Sequence, residues 1–114
     1  MEIRLISEPI PLAEIKTLAQ EQFGEMLKAT VDVDHEIMAV GGELHSDEEA
    51  LLLDRGSKQE SLWGINIYPA KPAAERVEFD SMINVRPSRN NLSRGVEDPA
   101  TRERILRVVS KLIR

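Results

Sequence analysis

Apolar and charged residues alternate over residues 2–6 (Glu-Ile-Arg-Leu-Ile), the period-two pattern of a half-buried strand. Pro9 and Pro11 break it. Pro11 suits the first turn of a helix, where a missing N–H costs nothing. Leu12, Ile15, Leu18, Ala19 and Phe23 then recur at helical spacing up to Gly24, a stop signal. Residues 26–33 return to alternation, with Ala29, Val31 and Val33 facing a core and Lys28, Thr30 and Asp32 facing away. A tight turn at Asp34-His35 leads into a third strand over 36–40, which Gly41-Gly42 ends.

Residues 46–56 (Ser-Asp-Glu-Glu-Ala-Leu-Leu-Leu-Asp-Arg-Gly) fit a short helix. Ser46 and Glu49 have capping-box spacing, and Gly56 serves as the C-terminal cap. A hairpin turning at Asp54-Arg55-Gly56 competes with that reading. Residues 62–68 form a strand that stops at Pro69, and a short linker leads to the longest alternating run, 76–86. Val77, Phe79, Ser81, Ile83 and Val85 share one side of it; Glu78, Asp80, Met82, Asn84 and Arg86 share the other. Asp98-Pro99 is an N-cap followed by proline at the first helical position. Ile105, Leu106, Val108, Val109, Leu112 and Ile113 then supply an apolar stripe to the end. The order predicts a single α+β domain over 1–114 with a two-layer, mainly antiparallel sheet of about five strands. Two long helices lie on one face with one short helix besides, and the other face is left open.

Composition narrows the function classes. Of the 114 residues, 41% are hydrophobic and 31% charged, as in an ordinary globular protein. There is no cysteine, which removes disulfides, thiol catalysis and Cys-ligated zinc. No signal-like or membrane-length apolar run is visible, so a cytoplasmic location is the default expectation. The net charge of −5 argues against broad nucleic-acid binding, which needs many phosphate-neutralising cations. Acids dominate the first half, whereas 84–114 is the basic pole.

Candidate chemistry concentrates between residues 78 and 99. On the outward side of the 76–86 strand, Glu78, Asp80, Asn84 and Arg86 stand in a row that Asn66 and Asp32 can join. Such a row can orient a small polar ligand, or can be a solvated sheet face with cross-strand ion pairs. The loop Arg86-Pro-Ser-Arg89-Asn90-Asn-Leu-Ser-Arg94-Gly95 offers guanidinium forks for phosphate or carboxylate, next to the free N–H groups of the last helix. Glu97-Asp98 at that terminus oppose an incoming anion, and Arg89 or Arg94 can instead pair with them or with the acidic first half. Glu43, His45 and Asp47 share a face of an extended segment, but two histidines in the chain are few for a metal, and no metal is expected. His45 as general acid–base, oriented by Glu43, is the alternative, while His35 reads as a turn residue. No Gly-rich nucleotide-binding loop is present, no pattern names a cofactor, and Trp63 is in phase with core positions.

The blocks Ile37-Met-Ala-Val-Gly-Gly-Glu-Leu-His45, Leu62-Trp-Gly-Ile-Asn-Ile-Tyr-Pro69, Glu78-Phe-Asp-Ser-Met-Ile-Asn-Val-Arg-Pro87 and Ser93-Arg-Gly-Val-Glu-Asp-Pro99 resemble a family of small, mainly bacterial proteins catalogued only as a domain of unknown function. The resemblance covers essentially the whole chain. It implies a free-standing bacterial domain and carries no chemistry with it. The residues themselves lead to a small anionic ligand, phosphorylated or nucleotide-like. Arg86, Arg89 and Arg94 hold it, Asn84 and Asn90 orient it, and His45 or Asp80 moves the proton if hydrolysis or group transfer follows. A non-catalytic interaction or regulatory module, homodimeric through its opposite charges, is the competing expectation, and an exposed Met82 would favour it.

Overall fold

The structure, a computed structural model, describes residues 2–114. Among these, five strands form one antiparallel sheet: β1 (Arg4–Ile6), β2 (Leu27–Asp32), β3 (Ile37–Val40), β4 (Leu62–Ile67) and β5 (Val77–Glu78). Their spatial order is β1-β3-β2-β4-β5. Between and after them lie α1 (Leu12–Gln22), α2 (His45–Asp54) and α3 (Pro99–Leu112). The α+β prediction and the helical reading of the segment before Gly56 both hold.

The two sheet faces are dressed differently. Ala29, Val31, Met38, Val40, Trp63, Ile65 and Ile67 send their side chains to one face, where Ile15, Leu18 and Ala19 of α1 and Ile105, Val108, Val109 and Leu112 of α3 cover them. This is the main core. Phe23, expected among these residues, is instead the exposed C-cap of α1. Backbone bonds join the two helices where Ile10 and Ile113 form a parallel bridge: Ile10 N–H donates to Leu112 O (2.7 Å) and Arg114 N–H to Ile10 O (2.9 Å). The second face is not left open as alternation implied. Leu52 of α2 packs there with Ala39 and Leu62, and the segment after β5 crosses beside it.

α2 begins earlier than its sequence suggested. Leu44 is the N-cap and Ser46 lies inside the first turn, so the Ser46–Glu49 capping box does not form. Gly56, at φ 98°, takes the left-handed conformation expected beyond the helix end. The register of α2 sends Glu48 inward, fully buried on the sheet. Its Oε2 accepts from Gly42 N–H (2.9 Å), and its Oε1 lies 3.1 Å from the Thr30 hydroxyl. A Cβ on residue 42 would meet the Glu48 Cγ at 2.8 Å, so glycine there makes the room for this carboxyl. Burial pushes its pKa up to about 9, outweighing the two hydrogen bonds that favour the charged form. At neutral pH Glu48 is therefore a neutral acid that can donate to Thr30 Oγ1, while Thr30 Oγ1 in turn donates to the His45 carbonyl (3.4 Å).

The expected long strand over 76–86 stops after Glu78. Val77 and Phe79 do pack toward the main core, but the next residues leave the ladder. The reason is a side chain that imitates a strand. Asn84 accepts from Gly64 N–H through Oδ1 (2.8 Å) and donates to Gly64 O through Nδ2 (2.9 Å), taking both backbone groups that a continued β5 would have used. Ser81 crosses so close over Gly64 that a Cβ there would stand 2.5 Å from its Cβ and Oγ. The loop beyond is tied internally. Asn91 Nδ2 donates to the carbonyls of Asn84 (2.7 Å) and Gly95 (2.8 Å), and its Oδ1 accepts from Glu97 N–H (2.9 Å). Arg86, almost buried, donates to Gln59 O (2.7 Å) and Leu62 O (2.6 Å) and pairs with Glu49 of α2 (2.5 Å). At the far end, Asp98 caps α3 as its sequence predicted.

Two outcomes follow for stability. The unfolded chain ionises Glu48 above pH 4.5 while the folded chain keeps its proton to about pH 9, so the stabilisation present below pH 4.5 drains away as pH rises toward 9. Glu48→Gln keeps both hydrogen bonds, with Nε2 facing the Thr30 oxygen and Oε1 the Gly42 N–H. Denaturant unfolding at several pH values should show a flatter profile for this variant and a gain of roughly 1–3 kcal/mol near pH 7.5. Arg86→Ala leaves Glu49 and two carbonyls unanswered in a dry place, and should lower the unfolding free energy by about 3–5 kcal/mol.

Candidate functional site

A cleft of about 500 Å³ opens on the α2 side of the sheet, between the first turn of that helix and the segment that crosses from β5. Its floor comes from strand register. Lys28 on β2 is opposite Asn66 on β4, and Asn66 is opposite Glu78 on β5. Side chains at directly opposed positions point to the same face, so a cation, an amide and a carboxylate line up across three strands. His45 and Ser46 come from the start of α2, and Asp80, Ser81 and Arg94 from the crossing segment.

His45 is held with its ring on the sheet. Its Nε2 lies 2.7 Å from the Ile65 carbonyl, an acceptor, so Nε2 carries the proton and Nδ1 is the nitrogen with a free lone pair. Burial lowers the pKa of the ring, and the bond to Ile65 opposes this only in part. The imidazole is thus neutral at neutral pH, the form a general base needs. Ile65 O, not Glu43, is its orienting partner. Glu43, His45 and Asp47 do not gather, and among the described residues no three metal-binding side chains come together.

The charged side chains of the cleft differ in how far they are committed. Arg94 Nε pairs with Asp80 Oδ1 at 2.7 Å, both half exposed. Glu78 Oε1 accepts from Asn66 Nδ2 (2.9 Å) and from the Tyr68 hydroxyl (3.2 Å). Lys28 Nζ donates to the Glu43 carbonyl (3.0 Å) and has no carboxylate partner among the described residues. Leu44 (55% exposed) and Met82 (67% exposed) form an apolar rim.

The guanidinium groups expected to converge do not. Arg86 is spent on Glu49 and two carbonyls, and Asn84 is spent on Gly64 and the Arg94 carbonyl (2.9 Å), so both are structural and lie outside the cleft lining. Arg89 stacks over the Trp63 ring (4.6 Å to its centre), and Asn90 sits in a left-handed turn (φ 58°). These two line a separate hollow of about 300 Å³ at the start of α3, with Glu97 and Asp98. Of the residues expected to hold the anion or move a proton, only His45, Asp80 and Arg94 share the main cleft, joined by Glu78 and Asn66 from the expected polar row. Asp32, which alternation placed in the same row as Asn66, is instead buried at the β2–β3 turn, accepting from Ser57 Oγ (2.6 Å) and paired with His35 Nδ1 (2.7 Å). Lys28 was legible in the sequence as an outward strand residue, but only register reveals its place. Nothing in the sequence marked Glu48 as the acid to be buried, apart from the adjacent glycines.

Residues 4–112 match the profile of a family described as protein of unknown function, DUF5674. No curated protein and no solved structure gives a significant match. Since the match runs through every element of the sheet and all three helices, the chain belongs to the DUF5674 family.

Proposed function

We propose that the chain binds a small anionic ligand, of the phosphorylated or nucleotide-like class, in the cleft over Lys28, Asn66 and Glu78. The observation that carries this reading is the Lys28 ammonium, which lines the cleft without a carboxylate partner among the described residues. The opening turn of α2 lies beside it and adds positive partial charge from backbone N–H groups. Neutral Glu48 in that turn does not oppose an anion as a carboxylate would. Arg94 is the second cation, already shared with Asp80. The arginine cluster inferred from the loop is thus replaced by one lysine, one arginine and a helix start.

Hydrolysis or group transfer is the reaction class that this site supports. His45 Nδ1 accepts a proton from a water or hydroxyl nucleophile, and Asp80, held by Arg94, orients that group. A second reading rests on the apolar rim: exposed Met82 and Leu44 suit docking of another protein over the cleft mouth. Gel filtration at two salt concentrations separates the two. Concentration-dependent association that survives high salt and is lost in Met82→Asp favours docking.

Calorimetric titration at low salt with inorganic phosphate and with AMP tests the ligand reading. Lys28→Met should weaken binding at least tenfold, about 1.4 kcal/mol, whereas Arg89→Ala should leave it unchanged; the opposite pattern would return the site to the α3 hollow. Because the His45 pKa is depressed, the folded protein resists protonation there below pH 6.5 while the unfolded chain does not. His45 therefore contributes stability above pH 6.5 that is lost on acidification. Any turnover should stay level from pH 8 down past 6.5 before falling, and His45→Gln should abolish it.

A further inference from the structure

Asn66 is only 6% exposed, and its partners fix which way its amide points. Nδ2 donates to Glu78 Oε1 (2.9 Å) and lies 3.4 Å from the Asp80 carbonyl. The reverse orientation would press an amide oxygen against two acceptors. Oδ1 is therefore a buried acceptor that no donor among the described residues reaches, in a side chain lining the cleft. Beside it Glu78 uses Oε1 for its protein bonds, and Asp80 uses Oδ1 for Arg94. Each carboxylate thus has its second oxygen without a partner among the described residues. With Asp80 neutralised by Arg94, Glu78 supplies the negative charge at this end of the row.

Resting on the ligand reading above, we infer that the cleft takes an anion that also carries an amino group, with the anionic end at Lys28 and the amino end at Asn66 Oδ1 and the Glu78 carboxylate. A primary amine or ammonium brings two or three donors and accepts little or nothing. It matches a patch that offers acceptors and net negative charge, just as phosphate matches the lysine end. The row spans two strand spacings, about 10 Å at the backbone. Lys28 and Asn66 stand one such spacing apart, about 5 Å, so the row takes in both the short reach of an aminoalkyl phosphate and the longer reach of a nucleotide bearing an exocyclic amine. These are two sources of one chemistry.

Matched pairs decide the matter. Calorimetry with phosphoethanolamine against ethyl phosphate, and with AMP against IMP, isolates the amino group in each scaffold. The amino member of at least one pair should bind ten times tighter or more, and the pair that shows it names the source. Glu78→Gln, at an exposed position on a two-residue edge strand, should shrink that advantage below threefold, through weaker binding of the amino member; an unchanged melting temperature verifies the fold. Equal affinities within both pairs, with Lys28→Met still weakening all binding, would overturn the amino requirement and leave the anion reading standing. Failure of all four compounds to bind would remove both.

Discussion

The close passage of one chain segment over Gly64 decides the shape of this protein. Asn84 satisfies both backbone groups of Gly64, and Ser81 rests where a side chain on residue 64 would be. The sheet therefore ends at a two-residue β5, and the chain is thrown across the α2 face instead of extending the ladder. Arg86 and Asn91 then fasten the displaced segment to α2, to the turn before β4 and to itself. Without that detour Asp80, Ser81 and Arg94 would not meet His45, and the part of the second sheet face beside α2 would have no opposite wall. The cleft is a by-product of an amide standing in for a strand.

Charge type alone does not reveal how a residue is used. Arg86 and Lys28 are both cations on the α2 side, yet the first is enclosed by carbonyls and a carboxylate, while the second donates to one carbonyl, lies over the Phe23 ring and lines the cleft. The same distinction separates acids. Glu48 is buried and neutral, Glu97 is consumed by the N–H groups of Leu92 and Ser93, and Glu78 keeps capacity for another donor. The chemistry of the cleft depends on what the fold has left over, and its members are those with unfilled valences: Lys28 Nζ, His45 Nδ1, Asn66 Oδ1.

The pattern of burial explains what was readable in advance. Ala29, Val31, Ile65 and Ile67 alternate because a packed face demands it, and Ile105, Val109 and Leu112 recur because a helix presents them together; such constraints act on many residues at once. Asp98-Pro99 was legible because its capping chemistry is local. The alternation from Val77 to Arg86 misled because Ser81 and Asn84 face inward for hydrogen bonding, not for hydrophobic burial, and polar satisfaction has no period. Ser46 and Glu49 had capping-box spacing, but docking of Leu52 and Glu48 on the sheet chose a different first turn. The Lys28–Asn66–Glu78 row joins residues far apart in sequence through register, which no local pattern carries.

The bridge between Ile10 and Ile113 has a consequence for how the molecule comes apart. It joins positions about a hundred residues apart, yet closing so long a loop costs only modestly more entropy than closing a short one. Because the lead-in to α1 is hydrogen-bonded to the last turn of α3, neither helix can peel from the sheet without exposing the shared core beneath its neighbour. Loss of either should therefore proceed as a single cooperative event, leaving no partly undressed intermediate in which one helix still shields the strands.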